Sequence, residues 1–208
     1  MSKRGRKLNL EFLLGSLDTD FDYICLDSTG IQTYTGNEWL ENKHGKYVRR
    51  TWKKLHIAAG NNGIITAVTT TCHNKDDRSQ VKELLKDTKT KEVLADPGYD
   101  GENIYQIIRT KGMKPTIRPP NHLVAKKAKT ERQQSAAYQQ NKGYHAWRNK
   151  NKYGRRELVE NTFFRFKTAF GSKFLSREDD NMKNEMIIKC QLLNKMFEIG
   201  KPISMRIA

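Results

Sequence analysis

The sequence predicts one α/β domain in which a mixed five-stranded sheet is flanked by helices. Its 208 residues are enough for a single hydrophobic core of ordinary size. Short runs rich in aromatic and β-branched residues alternate with segments of helical periodicity, which is the order expected for strands and helices packed in layers. The chain has no internal repeat, so one domain is the simplest organisation.

Three strands are predicted in the first third of the chain. The segment FDYICLD, 21–27, is rich in aromatic and branched residues and runs into the turn cluster DSTG. The polar and basic stretch 32–50 is predicted as a loop. The segments WKKLHIAAG and GIITAVTTT follow, and the Gly-Asn-Asn-Gly run where they meet indicates a β-hairpin.

A helix, a strand, a second helix and a fifth strand come next. The segment DDRSQVKELLKD, 76–87, has an acidic start and apolar residues at helical spacing, so it predicts a helix. The segment KEVLAD, 91–96, is typical of a short buried strand. Asp100 is predicted to cap the next helix, which ends at Gly112. The segment MKPTIRPP then predicts a short strand closed by two prolines.

The rest of the chain is predicted as a basic loop followed by two helices. The loop, 119–152, is rich in glutamine and asparagine and poorly periodic, so it is expected to be mobile, with one or two helical turns. The helices cover about 153–170 and 180–199. We therefore expect a flexible N-terminal arm at 1–20, the domain at 21–199 and a C-terminal tail at 200–208.

Positive charge is concentrated in the second half of the chain. The net charge is +16, and the stretch 111–156 contains thirteen lysines and arginines against a single acid, Glu131. Such a field suits a polyanion, of which nucleic acid is the commonest, and DNA would then order the basic loop. An anionic membrane surface is the alternative. The stretch lacks the stripe of large apolar residues that an interfacial helix requires, so nucleic acid is favoured.

The cysteines and the N-terminus predict a cytoplasmic location. Cys25, Cys72 and Cys190 show no metal-binding spacing, and their odd number does not suggest a disulfide framework. The apolar run near the N-terminus is interrupted by Asn9 and Glu11 and is too short for a signal peptide or a membrane span.

Two aspartates are predicted to meet at one edge of the sheet. Asp27 ends the first predicted strand and Asp96 ends the fourth. If these strands are neighbours, both carboxylates point into one crevice, where they repel each other unless a cation lies between them. Mg²⁺, a hard ion that prefers oxygen ligands, would relieve this repulsion. Each aspartate taken singly is more often a turn or cap residue, so only their joint occurrence suggests a site.

A third acid lies on a cationic stripe of the helix predicted at 153–170. Tyr153, Arg156 and Lys167 lie within roughly 40° of Glu160 on a regular helix. Glu157 lies about 60° away and is the weaker choice. A carboxylate for a metal beside cations for phosphate would suit metal-assisted phosphodiester chemistry. The alternative is a solvated pair between Glu160 and Arg156, which contributes only a few tenths of a kcal/mol.

These residues resemble a known family, the DDE transposases of bacterial insertion sequences and, within it, the insertion-sequence-five-like group. The family's signature of Tyr, two residues, Arg, three residues, Glu, six residues and Lys is matched by Tyr153, Arg156, Glu160 and Lys167. LDSTGIQ and LADPGYD resemble the two aspartate motifs of that group, and WKKLHIAAG is similar to the strand after the first motif. The resemblance covers about residues 21–197.

The resemblance implies a ribonuclease H-like fold in which the catalytic Asp27, Asp96 and Glu160 bind two Mg²⁺ ions, for which Mn²⁺ would substitute. It implies cleavage at the ends of the element and direct attack of the freed 3′-hydroxyl on target DNA. The predicted DNA-binding residues are Tyr153, Arg156, Lys167, Arg155, Lys126, Lys127, Lys129, Arg148, Lys150 and Lys152. The implied partners are transposon ends, target DNA and a second copy of the chain on DNA, in the bacterial nucleoid.

One departure from the family's pattern leaves other functions open. About twenty residues precede Phe21, too few for a helix-turn-helix domain. We therefore expect either a separate N-terminal transposase polypeptide or a truncated chain. The alternative function is a catalytically inactive, DNA-binding remnant that inhibits full-length transposase. A third function, a structure-specific nuclease of the same fold, is disfavoured by the Tyr-Arg-Glu-Lys spacing.

Overall fold

Five strands form one sheet in the computed structural model, which describes residues 10, 14, 21–33, 51–121, 123 and 128–200. The strands are β1 (Phe21–Gln32), β2 (Trp52–Gly60), β3 (Ile65–Cys72), β4 (Thr90–Ala95) and β5 (Lys114–Ile117). Their order across the sheet is β3-β2-β1-β4-β5. β1, β2 and β3 pair antiparallel, whereas β1 with β4 and β4 with β5 pair parallel. The predicted mixed five-stranded sheet is confirmed.

Helices pack on both faces of this sheet. They are α1 (Val81–Leu84), α2 (Glu102–Thr110), α3 (Glu131–Lys150), α4 (Glu157–Phe170) and α5 (Asp179–Ile199). Short 3₁₀ turns, Asp77–Gln80, Pro97–Tyr99 and Tyr153–Arg156, lie before α1, α2 and α4. The helix predicted at 76–87 is therefore a 3₁₀ turn capped by Asp76, followed by a single turn of α-helix of the same length. No helix in the described part of the chain is long and apolar enough to cross a membrane.

Two hydrophobic cores lie on opposite faces of the sheet. Cys25 belongs to the core that includes Phe166 of α4 and Met186 of α5. The next residue on the strand, Leu26, belongs to the other core, with Ile108 of α2. Successive side chains of a strand point to opposite faces. Since both faces are covered, the middle of β1 reads as a continuous apolar run rather than an alternating one.

The loop predicted at 119–152 is wrong over most of its length, because residues 131–150 form α3. The helix begins with a capping box: the Thr130 side chain accepts a hydrogen bond from the Gln133 N–H, and the Gln133 side chain bonds back to the Thr130 backbone. Only Ala136 and Trp147 of α3 are buried. A helix that buries so few residues shows little apolar periodicity, so the sequence pattern alone does not indicate it.

A bend at Gly143 folds α3 back on itself. Gly143 has φ 83° and ψ 163°, a non-helical conformation that favours glycine. The Trp147 indole N–H donates to the Ser135 hydroxyl at 2.8 Å. In a straight helix these residues would be about 18 Å apart along the axis, so the two halves form a short helical hairpin.

Asp100 is not the N-cap of α2, contrary to the prediction. Gly101 occupies that position without a side-chain hydrogen bond. The Asp100 carboxylate, 1% exposed, instead accepts hydrogen bonds from the Arg132 guanidinium of α3 at 2.5 to 3.0 Å. This buried ion pair attaches the helical hairpin to the rest of the domain.

The predicted N-terminal arm is described at two positions. Leu14 is buried in the core shared with α4 and α5, and Leu10 packs against it. The rest of the arm, the part of the predicted loop at 34–50 and the tail beyond Gly200 lie outside the described residues.

Candidate functional site

Asp27 and Asp96 lie side by side because of the register between β1 and β4. Leu26 and Ala95 are partners in this parallel pairing, so the residue that follows each of them stands at the same level of the sheet. Alternation along β1 places Asp27 on the same face as Cys25, which is the face covered by α4. The condition for the two aspartates to meet, that their strands are neighbours, is fulfilled.

Asp27 does not end its strand, however, so that part of the prediction is wrong. β1 continues to Gln32, because residues 28–32 remain paired with β2. The pairing with β4 is what stops, at Leu26 and Ala95. Beyond Leu26, β1 is no longer paired with β4. The two aspartates lie at the point where these two strands separate.

Asp96 is held by the turn that it begins. Its Oδ1 accepts a hydrogen bond from the Gly98 N–H at 2.9 Å, which caps the 3₁₀ turn. Pro97 at the first position of the turn restricts the backbone there. A Cβ atom at Gly98 would lie 3.0 Å from Asp96 Oδ1 and would crowd it. The local sequence Asp-Pro-Gly therefore sets the direction of the carboxylate.

Arg156 connects Asp27 with Glu160. One guanidinium nitrogen donates to Asp27 Oδ2 at 2.8 Å and the other donates to Glu160 Oε1 at 2.6 Å. The arginine side chain is 16% exposed, whereas that of Glu160 is 58% exposed. The pair of Arg156 and Glu160 that the sequence offered as a surface alternative is therefore present. It is also part of a larger arrangement, because the same guanidinium reaches across to the sheet.

Burial and repulsion raise the pKa of both aspartates. Burial is the main cause of the raised pKa of Asp27, about 6, and the charges of Asp96 and Glu160 raise it further. Arg156 and the N–H of Ser28 act in the opposite direction. Burial also raises the pKa of Asp96, against the attraction of Arg156. Two ionised aspartates are therefore disfavoured here unless more positive charge is present.

The oxygen donors of Asp27, Asp96 and Glu160 suit a hard divalent cation in their chemistry. Among the described residues, however, no three acidic, histidine or cysteine side chains are gathered closely enough to hold a metal as they stand. The Arg156 guanidinium supplies the positive charge between Asp27 and Glu160. An ion bound by all three acids would compete with this guanidinium for Asp27 and Glu160.

Asp77 is a fourth acid beside the site, and sequence reasoning missed it. Ser28 connects it to Asp27: the Ser28 N–H donates to Asp27 Oδ1 at 2.8 Å, and the Ser28 hydroxyl donates to Asp77 Oδ2 at 3.0 Å. Lys54 donates to the other oxygen of Asp77 at 2.7 Å. In the sequence Asp77 is only part of an acidic helix start. The one signal is Ser28, directly after Asp27, whose hydroxyl needs a polar partner.

Tyr153 and Arg155, both predicted to bind DNA, are used inside the protein. The Tyr153 hydroxyl is buried and donates to the Ala95 carbonyl at 3.0 Å, directly before Asp96. Arg155 donates to Glu92 at 2.7 Å. These contacts hold the turn before α4 against the end of β4. A contact of either residue with DNA remains a prediction.

The remaining predicted DNA-binding residues that the structure describes lie on α3, on α4 and next to them. Lys167 is exposed on α4, on the side of the helix that carries Glu160. Lys150 covers the Tyr138 ring at 3.9 Å, and Arg148 pairs with Glu157 at 2.5 Å. Lys129 and Lys152 are exposed, and Lys126 and Lys127 lie outside the described residues.

The fold and site together define an α/β domain with an acidic edge bridged by an arginine from the 3₁₀ turn before α4. The chain belongs to the transposase DDE domain family, whose model matches residues 19–195. With this match and the observed strand order, the predicted ribonuclease H-like fold class is confirmed.

Two solved structures are similar to the chain at low identity. One is the piggyBac transposase synaptic complex with hairpin DNA, with 10% identity and a TM-score of 0.47, covering 86% of this chain and 47% of that chain. The other is the catalytic core domain of BIV integrase, with 11% identity and a TM-score of 0.38, covering 88% of this chain and 87% of that chain. The chain thus spans about half the length of the piggyBac transposase chain.

Proposed function

We propose that the chain is the catalytic domain of an insertion-sequence transposase, of the insertion-sequence-five-like group. It cuts phosphodiester bonds at the ends of the element and joins the freed 3′-hydroxyl to target DNA. The observation that carries this proposal is the pairing of Leu26 with Ala95, which sets Asp27 beside Asp96, together with the Arg156 bridge from Asp27 to Glu160. A chain with scattered structural acids would not need three of them around one arginine.

Asp27, Asp96 and Glu160 would hold the divalent ions, Mg²⁺ or Mn²⁺. Bound there, such ions supply positive charge that stabilises the attacking and the leaving oxygen of a phosphodiester. The raised pKa of Asp27 and of Asp96 supports this assignment, because burial disfavours the charged form of each carboxylate and a bound cation would offset that cost. These acids keep their places through the chain's own contacts, Ser28 for Asp27 and Gly98 for Asp96.

Arg156 has two alternative partners in this proposal. Without DNA its guanidinium binds the carboxylates of Asp27 and Glu160. A phosphate can offer two oxygens to this planar guanidinium, because arginine binds phosphate and carboxylate in the same bidentate way. When a DNA phosphate takes Arg156, Asp27 and Glu160 are freed to accept divalent ions. The same phosphate is thereby oriented at the site of cleavage.

The surrounding cations would hold the DNA strand. Lys167 lies two turns beyond Glu160 on α4, and exposed lysines lie on and beside α3. The net charge of +16 favours DNA at long range and makes its binding sensitive to salt. Because two element ends must be joined to one target, the proposed partner besides DNA is a second copy of the chain.

A DNA-binding protein without catalysis is the second candidate. The observation that favours it is the Arg156 bridge itself, since a guanidinium already balances Asp27 and Glu160 without any metal ion. Such a protein would bind DNA through its basic surface and inhibit a full-length transposase by occupying the same sites.

An Asp96→Asn variant separates the two candidates. We expect the wild type to nick plasmid DNA with Mg²⁺ or Mn²⁺ and to join an oligonucleotide 3′-hydroxyl into a plasmid. The variant should lose both activities and keep salt-sensitive DNA binding. Asp87→Asn, an exposed acid after α1, is the matched control and should behave as the wild type. Equal cutting by Asp96→Asn and the wild type would refute the proposed site, and hydrolysis without joining would indicate a nuclease.

A further inference from the structure

Phe164 stands out among the aromatic residues of α4 because it faces solvent. It is 71% exposed, whereas Phe163 and Phe166 on either side of it are 8% and 1% exposed and belong to the core. Exposure of so much apolar surface costs free energy in water, roughly 25 cal/mol for each Å² left uncovered. The core therefore gives no reason for a phenylalanine at this position.

Phe164 lies on the face of α4 that carries Glu160 of the proposed site. Glu160 lies four residues before it and Lys167 three residues after it, which on an α-helix is about 40° and about 60° around the axis. Along the axis, Phe164 is about 6 Å from Glu160. This is one to two base steps at about 3.4 Å for each step of a stacked strand.

The neighbours of Phe164 on this face are polar. Asn161 and Thr168 are exposed like Glu160 and Lys167. The aromatic centre of a protein–protein interface usually lies in a well-packed, desolvated cluster, and these four neighbours do not form one. A single ring among polar and charged groups is instead typical of surfaces on which a nucleobase stacks while nearby cations hold the backbone.

We propose that Phe164 stacks on an unpaired nucleobase next to the phosphate that is cut. This inference depends on the proposed function for the placement of the DNA strand. Inside a closed duplex both faces of each base are already covered by its neighbours, so the ring selects DNA whose end is frayed or opened. Phe164 thus adds a preference for DNA with an unpaired end. The preference does not depend on sequence, because any of the four bases can stack on the ring.

Fluorescence and affinity with two oligonucleotides test this inference. One is a fully paired duplex, and the other carries a short unpaired 3′ tail containing 2-aminopurine, whose fluorescence is quenched by stacking. Binding is measured in EDTA, so that no strand is cut. The variants are Phe164→Ala and Phe164→Tyr, and Leu192→Ala is the matched control, since Leu192 is an exposed apolar residue of a different helix, α5.

We expect Phe164→Ala to bind the tailed duplex roughly 5- to 100-fold more weakly, with the quenching lost, and to bind the paired duplex as the wild type does. Phe164→Tyr and Leu192→Ala should bind both as the wild type does. Unchanged affinity and quenching in Phe164→Ala would overturn the inference. An equal loss on both oligonucleotides would overturn it too, since it would indicate a contact other than stacking.

Failure of this inference is distinct from failure of the proposed function. If the wild type nicks plasmid DNA but Phe164→Ala binds the tailed duplex normally, the stacking role alone is wrong. If Phe164 is needed for the tailed duplex but the wild type never cuts DNA with Mg²⁺ or Mn²⁺, the stacking role holds and the catalytic function is wrong.

Discussion

Replacing Asp27 by asparagine should stabilise the metal-free protein while it removes activity. The folded protein binds the proton of Asp27 more tightly than the unfolded chain does, because burial raises the pKa from 3.8 to about 6. The contribution of Asp27 to the free energy of unfolding therefore falls as the pH rises from about 4 to about 6, and it stays low above that range. An asparagine has nearly the same shape and carries no charge at any pH.

The expected size follows from the same shift. About two pH units at about 1.4 kcal/mol each give about 3 kcal/mol as the largest gain at neutral pH, and relaxation around the charged form lowers this to roughly 1–3 kcal/mol. For a chain of this length each kcal/mol corresponds to about 2–4 °C in Tm. We therefore expect Asp27→Asn to melt about 3–10 °C higher than the wild type at pH 7.5 in EDTA. The difference should shrink toward zero near pH 4.

Thermal melting by circular dichroism across this pH range measures the effect. Asp22→Asn is the matched control on the same strand, because Asp22 is exposed and its pKa is lowered by Lys91. Its Tm should stay close to that of the wild type, and any small pH trend should have the opposite sign. With Mn²⁺ added, the wild type should gain stability that Asp27→Asn does not. A lower Tm of Asp27→Asn in EDTA at every pH would refute the reasoning.

Three further predictions concern neighbouring contacts. Tyr153→Phe removes the hydrogen bond to Ala95 and should lower the free energy of unfolding in urea by about 1–3 kcal/mol; an unchanged midpoint would show that the bond is not formed. Arg132→Ala leaves the buried carboxylate of Asp100 unpaired and should cost about 3–5 kcal/mol in the same assay. A loss below about 1 kcal/mol would contradict this pairing. Arg156→Gln removes the cation that competes with a metal ion for Asp27 and Glu160. Calorimetry without DNA should therefore show tighter Mn²⁺ binding, whereas DNA nicking should fall. Weaker Mn²⁺ binding would contradict this role of Arg156.

Local sequence predicts β1 and β4 well because their signals are local. The apolar segments of β1 and β4 and the turn that follows each one indicate where Asp27 and Asp96 lie, and the parallel pairing brings them together. Local sequence does not predict where β1 ends. DSTG reads as a turn, yet these residues continue the strand because β2 is there to pair with them.

Long-range contacts account for the other differences. Arg156 and Asp27 are 129 residues apart in sequence, so no local spacing rule could indicate their ion pair. The helical hairpin of α3 is hidden for a related reason. Its two halves are each too short for a clear period, and they are ordered by contacts such as Trp147 with Ser135 and Arg132 with Asp100.

The most direct test of the proposed site is nicking of supercoiled plasmid by the purified chain with Mn²⁺, beside its Glu160→Gln variant. Glu157→Gln, from the same turn of α4, is the control, since Glu157 pairs with Arg148 away from Asp27. We predict nicking by the wild type and by Glu157→Gln, none by Glu160→Gln, and DNA binding with the same salt dependence by all three. Nicking by Glu160→Gln at the rate of the wild type would show that Glu160 is only the surface partner of Arg156 and would contradict the proposed metal site.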